Sequence, residues 1–220
     1  MIRLSLPKGL SPTKEVTDSR YSMFNTGGVE LETAEFLYTF VRILKPETIV
    51  ETGAHLGISA LYMAAGMLEN SQKVCNRIIT CEVIPELIHI AKMTWKENSV
   101  DHLIDIRNCY SLELDVQQEI DLLFLDSEPQ YRYDELLKFF PKVRDRGFIL
   151  IHDLLPEMKC REATSPETCP LFGNYKDKIG NLLKEFSLVP IHLPCPRGMV
   201  LLQKDVGGTL ETTRFIRSRK

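Results

Sequence analysis

The residues of this sequence that could do chemistry follow short apolar runs, and several of them are carboxylates. Glu51-Thr52-Gly53 follows "TIV", and Asp126 follows "IDLLFL". His152 and Asp153 together follow "GFILI". An aspartate or a histidine at such a position can accept a proton from a hydroxyl group or bind a divalent cation. We therefore regard Asp126, His152 and Asp153 as candidate catalytic residues.

The apolar runs alternate with amphipathic segments, which predicts the elements that carry these residues. Apolar residues at three- and four-residue steps predict helices at "LETAEFLYTFVRIL", "ISALYMAAGML", "PELIHIAKMTWKEN", "YDELLKFFPKV" and "KDKIGNLLKEF". The runs themselves predict strands at "TIVETG", "RIITCEV", "LIDIRN", "IDLLFLD" and "GFILIHD", followed by the closely spaced pair "LVPIHLP" and "GMVLLQK". Two strands so close together can pair only antiparallel. The sequence thus predicts an α/β protein with a Rossmann-like, seven-stranded, mostly parallel sheet, helices on both faces and a C-terminal antiparallel hairpin.

The carboxyl ends of the parallel strands would lie along one edge of this sheet. Ligands of open α/β sheets bind outside that edge, at the point where the strand order reverses. Five strands end there in polar residues: Glu51-Thr52-Gly53, Glu82-Val83, Asn108-Cys109-Tyr110, Asp126-Ser127-Glu128 and His152-Asp153. The sequence therefore predicts one ligand site built from these five strand ends.

The turn "GAHLG" after the first of these strands is suited to a cofactor. Gly53 lacks a Cβ atom, so a ligand could approach backbone N–H groups closely. Gly57 starts a helix, where unpaired N–H groups favour an anion. Glu82 could accept hydrogen bonds from both hydroxyls of a ribose, which favours nucleoside binding over a plain turn with a solvated glutamate. The dinucleotide fingerprint G-x-G-x-x-G with an acid about 20 residues later does not match.

Four segments, in order and at suitable spacing, resemble the class I S-adenosylmethionine-dependent methyltransferases. They are "VETGAHLGISALYMA", "CEVIPELIHIAK", "IDLLFLDSEPQYRYDELLKFFPKV" and "GFILIHDLLP". The sequence is most similar to small O-methyltransferases of the catechol and caffeoyl-CoA type and to a cephalosporin-hydroxylase-like branch whose fifth strand ends in His-Asp. The resemblance covers residues 25–204. It implies S-adenosylmethionine as the cofactor and a hydroxyl group of a small molecule or a sugar as the methyl acceptor.

The resemblance also implies which residues hold the methionine part of the cofactor. Glu51, Gly53 and Ser59 would contact it, with Gly57 in the turn beside them. Asp126 would contact the cofactor as well as act in catalysis.

The adenosine part would lie against the next two strand ends. By the same resemblance, Glu82 would bind the ribose, and Val83 or Ile84 would flank the adenine. Cys109 or Tyr110 would lie near the adenine amino group, where many relatives carry Gly-Asp and this chain has no acid. The segment "MFNTGGVELET" resembles the N-terminal part that closes over the cofactor.

A divalent metal is one of two open mechanisms. In catechol-type relatives, acids matching Asp126 and Asp153 hold a cation together with an asparagine, and the cation lowers the pKa of the acceptor hydroxyl. Leu154 takes the place of that asparagine, so the third ligand would be His152, Glu128 or water. Carboxylates and water would suit Mg²⁺, and a histidine would favour a transition metal. Without a metal, His152 or Asp126 would act as the general base.

Three further residues are candidates for the site, and other functions are compatible with the sequence. His55 would line the rim of the cofactor pocket, while Tyr131 and Tyr133 would either wall the acceptor site or pack in the core. The rival enzymes on this scaffold are an aminopropyltransferase and an NAD-dependent dehydrogenase. The other rival is a degenerate nucleoside-binding module, against which the intact pair Asp126 and Asp153 argues.

The chain divides into a central domain with three accessory segments. Residues 1–30 are expected to be a lid over the cofactor, 31–204 the methyltransferase domain and 205–220 a basic tail. An irregular stretch over 154–172 is too long for a bare connection, which predicts an insert that shapes the acceptor pocket. Cys160 and Cys169 bracket part of it without zinc-ligand spacing, which favours reduced thiols.

Composition limits the partners. The 220 residues carry a net charge of −3, which gives no reason to expect nucleic acid. No apolar run approaches the roughly 20 residues of a membrane span, and the N-terminus lacks the apolar core of a signal peptide. We therefore expect a cytoplasmic protein with a small-molecule acceptor and no membrane partner. A homo-oligomer is left open.

Overall fold

Seven strands form the central sheet of the computed structural model, which describes residues 4–14, 19–24, 28–70, 77–154, 175–186, 188–195 and 197–205. The strands, in chain order, are β1 (Pro12–Lys14), β2 (Ser22–Phe24), β3 (Thr48–Thr52), β4 (Arg77–Glu82), β5 (Ile104–Asn108), β6 (Ile120–Leu125), β7 (Val143–His152), β8 (Ile191–Leu193) and β9 (Met199–Gln203). The helices are α1 (Leu31–Leu44), α2 (Ile58–Leu68), α3 (Pro85–Glu97), α4 (Arg132–Phe139) and α5 (Tyr175–Glu185). Single 3₁₀ turns cover Asp101–Leu103, Pro129–Tyr131 and Phe140–Lys142.

The order of strands in the sheet is β5-β4-β3-β6-β7-β9-β8. The first five run parallel, whereas β9 pairs antiparallel with both β7 and β8. The chain proceeds from β3 outward to β5 and then returns to add β6 on the other side of β3. The reversal of strand order therefore lies between β3 and β6, and the predicted fold is confirmed.

Each face of the sheet is covered by its own group of helices. Ile49 of β3 packs in a cluster with residues of α1, α2 and α3, among them Leu37 and Trp95. Its neighbour Val50 packs in the opposite cluster with residues of α4 and α5, among them Leu136. All residues of β3 and β6 are buried, as expected of central parallel strands with both faces covered.

Most predicted elements agree with the structure, and the N-terminal segment differs. Strands β1 and β2 pair as a separate two-stranded hairpin that the sequence pattern did not predict. Each has only three residues and no clear apolar alternation, so the pattern carries little signal. Leu4, Leu6 and Leu10 pack against the core, so this segment lies on the body of the protein.

Several predictions fall beyond the described part of the chain. These are the insert after residue 154, with Cys160 and Cys169, and the tail beyond residue 205. The division into lid, domain and tail stays a prediction. Among the described residues, no helix is both long enough and apolar enough to cross a bilayer.

Candidate active site

A cavity of about 450 Å³ lies outside the carboxyl ends of β3, β4, β5, β6 and β7. Gly28 and Val29 border it from the N-terminal segment, and Arg197 from the turn between β8 and β9. Eight of the residues predicted for the site line it: Gly53, Ser59, Glu82, Val83, Cys109, Tyr110, Asp126 and Asp153. Three others, Glu51, Gly57 and His152, are not among the described residues that line it.

Gly53 is required by the close approach of two strand ends. Its φ is +81°, and a Cβ atom there would lie 2.8 Å from both the carbonyl oxygen of Asp126 and the Cα of Ser127. The backbone N–H of Asp126 also donates to the carbonyl of Thr52. The missing side chain therefore lets the loop after β6 close against the loop after β3 at the wall of the cavity.

Gly57 serves packing rather than the cavity wall. Its φ is +74°, and a Cβ atom would lie 2.6 Å from the indole ring of Trp95. The Nε1–H of Trp95 donates to the carbonyl of Gly57 at 2.8 Å. The glycine thus allows a buried tryptophan of α3 to support the start of α2.

The carboxylate of Glu82 is held by three backbone donors. Oε2 accepts from the N–H of His55 at 2.8 Å. Oε1 accepts from the N–H groups of Val83 at 2.8 Å and Ile84 at 3.0 Å. These bonds fix the side chain at the edge of the cavity.

Glu51 lies behind the wall of the cavity. It is fully buried and accepts hydrogen bonds from the hydroxyls of Ser59 at 2.5 Å and Thr80 at 2.7 Å. Burial raises the pKa of Glu51 to about 7, and the two hydroxyl donors only partly oppose this shift. Ser59 lines the cavity and Glu51 does not, so Glu51 is connected to the cavity by its hydrogen bond with Ser59.

Six ionisable residues meet at the ends of β6 and β7, and we call them the charge cluster. Its members are Glu30, Asp126, Arg132, His152, Asp153 and Arg197.

Arg132 lies between the two aspartates of the charge cluster. Its Nη2 atom is 3.3 Å from Oδ1 of Asp126 and 3.0 Å from Oδ2 of Asp153. Nε and Nη2 also donate to the carbonyl of Ser127, at 3.1 and 2.6 Å. The side chain is only 1% exposed. Arg132 is the first residue of α4, so the helix start fixes a positive charge beneath both acids.

His152 is enclosed by carboxylates. Nδ1 lies 2.8 Å from Oδ1 of Asp126, and Nε2 lies 2.9 Å from Oε2 of Glu30. Burial lowers the pKa of His152, but the charges of Asp126 and Asp153 outweigh it and raise this pKa well above 6.5. An imidazolium with both N–H groups directed at carboxylates has no free lone pair. The role of His152 as general base stays a prediction, and it would require one ring nitrogen to lose its proton and its carboxylate partner.

Arg197 joins the N-terminal segment to the sheet. Its Nε donates to Oε1 of Glu30 at 2.9 Å and lies 3.4 Å from Oδ1 of Asp153, while Nη2 donates to the carbonyl of Gly28 at 2.6 Å. Burial raises the pKa of Glu30, but His152 and Arg197 outweigh it and hold that pKa well below its usual value. Asp153 has a φ of +55°, a conformation that is uncommon for a residue with a side chain.

The remaining candidate residues differ in whether they line the cavity. His55, Glu128 and Tyr131 line the cavity. Tyr133 is partly buried, packs against the cluster that contains Leu136 and is not among the described residues that line the cavity. Sequence reasoning missed Arg132, Arg197 and Glu30 because an isolated arginine or glutamate carries no signal of its partner.

Comparisons with known proteins identify similar chains. A family model described as "Methyltransferase domain" matches residues 50–154. A predicted O-methyltransferase of Mycobacterium sp. (strain KMS) is 26% identical over 183 residues, which cover 81% of this chain and 80% of that protein. An O-methyltransferase from Bacillus cereus, solved in complex with SAH, has a TM-score of 0.66 at 17% identity and covers 82% of this chain and 84% of its own. A predicted caffeoyl-CoA O-methyltransferase from Staphylococcus aureus has a TM-score of 0.68 at 17% identity, with 80% of this chain and 85% of its own covered.

Proposed function

We propose that this chain is a class I S-adenosylmethionine-dependent methyltransferase of the O-methyltransferase type. Its methyl acceptor would be a hydroxyl group of a small molecule held beside Asp126. The observation that carries the proposal is the position of the Glu82 carboxylate. Three backbone N–H groups, one of them from His55 in the turn that contains Gly53, hold it at the edge of the cavity. The hydroxyls of a ribose in the cavity would donate to this carboxylate, and the methionine part would extend toward Gly53 and Ser59.

The adenine would lie against apolar side chains that are exposed at the cavity. Val83 is 41% exposed, Ile84 46% and Tyr110 59%, and all three line the cavity. Large exposed apolar side chains that cluster in a concave site are typical of ligand contacts. A planar purine covering them would remove this apolar surface from water. This supports the adenine position that the sequence resemblance implied for Val83, Ile84 and Tyr110.

Catalysis would rest mainly on alignment. The acceptor oxygen forms a bond to the methyl carbon while the bond from that carbon to sulfur breaks, and the electron pair stays on sulfur. The hydroxyl proton must leave the acceptor oxygen. Arg132 and His152 both contact Asp126 through Oδ1. We assign Oδ2 of Asp126 as the proton acceptor, with the two cations holding that carboxylate in place.

Cofactor binding can be tested without knowing the acceptor. Calorimetry should show that the wild-type protein binds S-adenosylhomocysteine and not NAD. Glu82→Gln should bind it roughly 10- to 100-fold more weakly, since a hydrogen bond to a charged group is lost. Glu86→Gln, in the exposed first turn of α3, should bind like the wild type. Binding of NAD alone, or equal affinities for the two variants, would contradict the proposal.

The reaction can then be tested with methyl-labelled cofactor and a panel of small hydroxylated and aminated acceptors. Formation of a methyl ether, identified by NMR, is expected. Asp126→Asn should bind S-adenosylhomocysteine but form the ether far more slowly, because an amide cannot accept the proton. Turnover of Asp126→Asn at the wild-type rate would rule out Asp126 as proton acceptor.

A further inference from the structure

We propose that Arg132 occupies the position between Asp126 and Asp153 where catechol-type relatives hold a divalent cation, so that this protein binds no cation there. The consequence for catalysis rests on the proposed methyl transfer. The exclusion of the metal does not rest on the proposed methyl transfer, because it concerns only the charge cluster.

The distances show that both acids are already paired with cationic nitrogens. Nη2 of Arg132 is 3.3 Å from Asp126 and 3.0 Å from Asp153, and the guanidinium is almost completely buried. Oδ1 of Asp126 is also 2.8 Å from His152. On the other side, Oδ1 of Asp153 is 3.4 Å from Nε of Arg197. A metal that bound both carboxylates would have to displace Arg132 from its buried position.

The negative charges of the cluster already have cationic partners without a metal. The guanidinium groups of Arg132 and Arg197 pair with Glu30, Asp126 and Asp153. A divalent cation would either lie beside these positive charges or displace Arg132 from its ion pairs, and both are unfavourable in a largely buried site.

The side-chain atoms available at this position are also unsuitable as ligands for a divalent cation. Asp126, His152 and Asp153 each offer one atom, and these atoms lie within 4.8 Å of one another. A metal needs a neutral imidazole with a free lone pair, whereas both ring nitrogens of His152 lie within hydrogen-bond distance of carboxylates. Leu154, the next residue, is buried and has no ligand atom. The residues therefore do not fit a divalent cation.

Arg132 would act as a positioning residue that replaces one function of a metal. A guanidinium stays charged at every physiological pH. It would keep Asp126 and Asp153 oriented without any exchangeable ion. It has no open coordination position, however, so it would not bind the acceptor oxygen as a metal does. Methyl transfer should therefore be insensitive to chelators.

The test measures Mn²⁺ binding by electron paramagnetic resonance, which needs neither cofactor nor acceptor. The wild-type protein should leave Mn²⁺ free at millimolar concentration, and Mn²⁺ should not change its Tm. Arg132→Ala should gain one Mn²⁺ site, because it frees two carboxylates and a space between them. Mn²⁺ at about 100 times its Kd should raise the Tm of that variant by roughly 5–10 °C.

Two further variants keep the test decisive. Arg144→Ala breaks a comparable pair, in which Nε lies 2.7 Å from Oδ1 of Asp121, away from the cavity. It should gain no Mn²⁺ site. Arg132→Lys retains a positive charge and should also bind no Mn²⁺, which matters if Arg132→Ala does not fold.

Three results would overturn the inference. They are stoichiometric Mn²⁺ binding by the wild type, loss of wild-type turnover in EDTA with recovery in Mg²⁺, and a folded Arg132→Ala variant without a Mn²⁺ site. The proposed function fails separately, if the wild type does not bind S-adenosylhomocysteine.

Discussion

Nε2 of His152 lies 2.9 Å from Oε2 of Glu30, although 122 residues separate them in the chain. Both side chains are fully buried, and Thr33 donates a further hydrogen bond to the same oxygen at 2.9 Å. The pair therefore attaches the segment before α1 to the end of β7 through a charge-assisted contact.

The contact predicts that stability declines at alkaline pH. The pKa of His152 is raised in the folded protein, so its contribution is complete below about pH 6.5 and is lost as the pH rises toward the folded value. The free energy of unfolding should fall by up to about 1.4 kcal/mol per pH unit over this range. Urea denaturation of the wild type and His152→Gln between pH 7 and 9 measures the difference in slope.

The matched control for this prediction is His102→Gln, which removes an exposed histidine outside the cluster. The free energy of unfolding of this variant should fall with pH as steeply as that of the wild type. Parallel curves for His152→Gln and the wild type would show that the imidazole is not held as a cation. At acidic pH the sign reverses for Glu30: its lowered pKa gives stability above about pH 4.5 that is lost as the pH falls.

Gly53→Ala should disrupt the cavity wall more than its backbone angle alone explains. Gly9 is a matched control, because its φ of +82° equals that of Gly53 within a degree, yet a Cβ there would meet nothing within 4 Å. Gly9→Ala should cost about 1 kcal/mol, and Gly53→Ala roughly 1–3 kcal/mol more. Only Gly53→Ala should weaken S-adenosylhomocysteine binding. Equal losses in thermal unfolding would mean that the contact with the loop after β6 is unimportant.

Gly57 and Trp95 should be energetically coupled. Gly57→Ala places a methyl group against the indole ring, and Trp95→Leu removes that ring. Each single variant should be destabilised, and the double variant should be more stable than the sum of the two predicts, by about 1–2 kcal/mol. Urea unfolding followed by circular dichroism measures all four proteins. Strict additivity would indicate that the helix start relaxes around the added methyl group.

Glu51→Gln should make stability less dependent on pH. Because burial raises the pKa of Glu51 to about 7, the folded protein holds this proton more tightly than the unfolded chain. Its stability contribution is present below about pH 4.5 and is lost as the pH rises through 7. The wild type should therefore lose on the order of 3 kcal/mol between pH 4 and 8 through this group. Glu51→Gln should lose less in guanidinium titrations at several pH values, and an unchanged profile would contradict the assignment.

The elements could be predicted where the deciding pattern is local. Helix α1 begins at Leu31 and α2 at Ile58, as the apolar spacing indicates, and Pro85 opens α3. The acids of the site could also be predicted, because parallel strands place their carboxyl ends along one edge. The hairpin of β1 and β2 could not, since three-residue strands carry almost no periodicity.

The partners of the site residues could not be predicted from the sequence. Asp126 and Asp153 are recognisable as strand-end acids, but whether they face a metal or an arginine depends on where the first turn of α4 lies. Arg132 has the same local sequence pattern in either case. Likewise, position 57 requires a glycine because the indole ring of Trp95, 38 residues further along the chain, packs against it.

The hairpin of β8 and β9 has a consequence for the order in which this protein matures during synthesis. Among the described strands these two leave the ribosome last, and β9 inserts between β8 and β7. Their turn carries Arg197, which contacts Glu30 across 167 residues of chain. A nascent chain of about 190 residues would already contain every strand-end acid. It would still lack Arg197, one of the two cations that hold Glu30 at the end of the sheet, so the charge cluster is complete only after the final strand pair has been made.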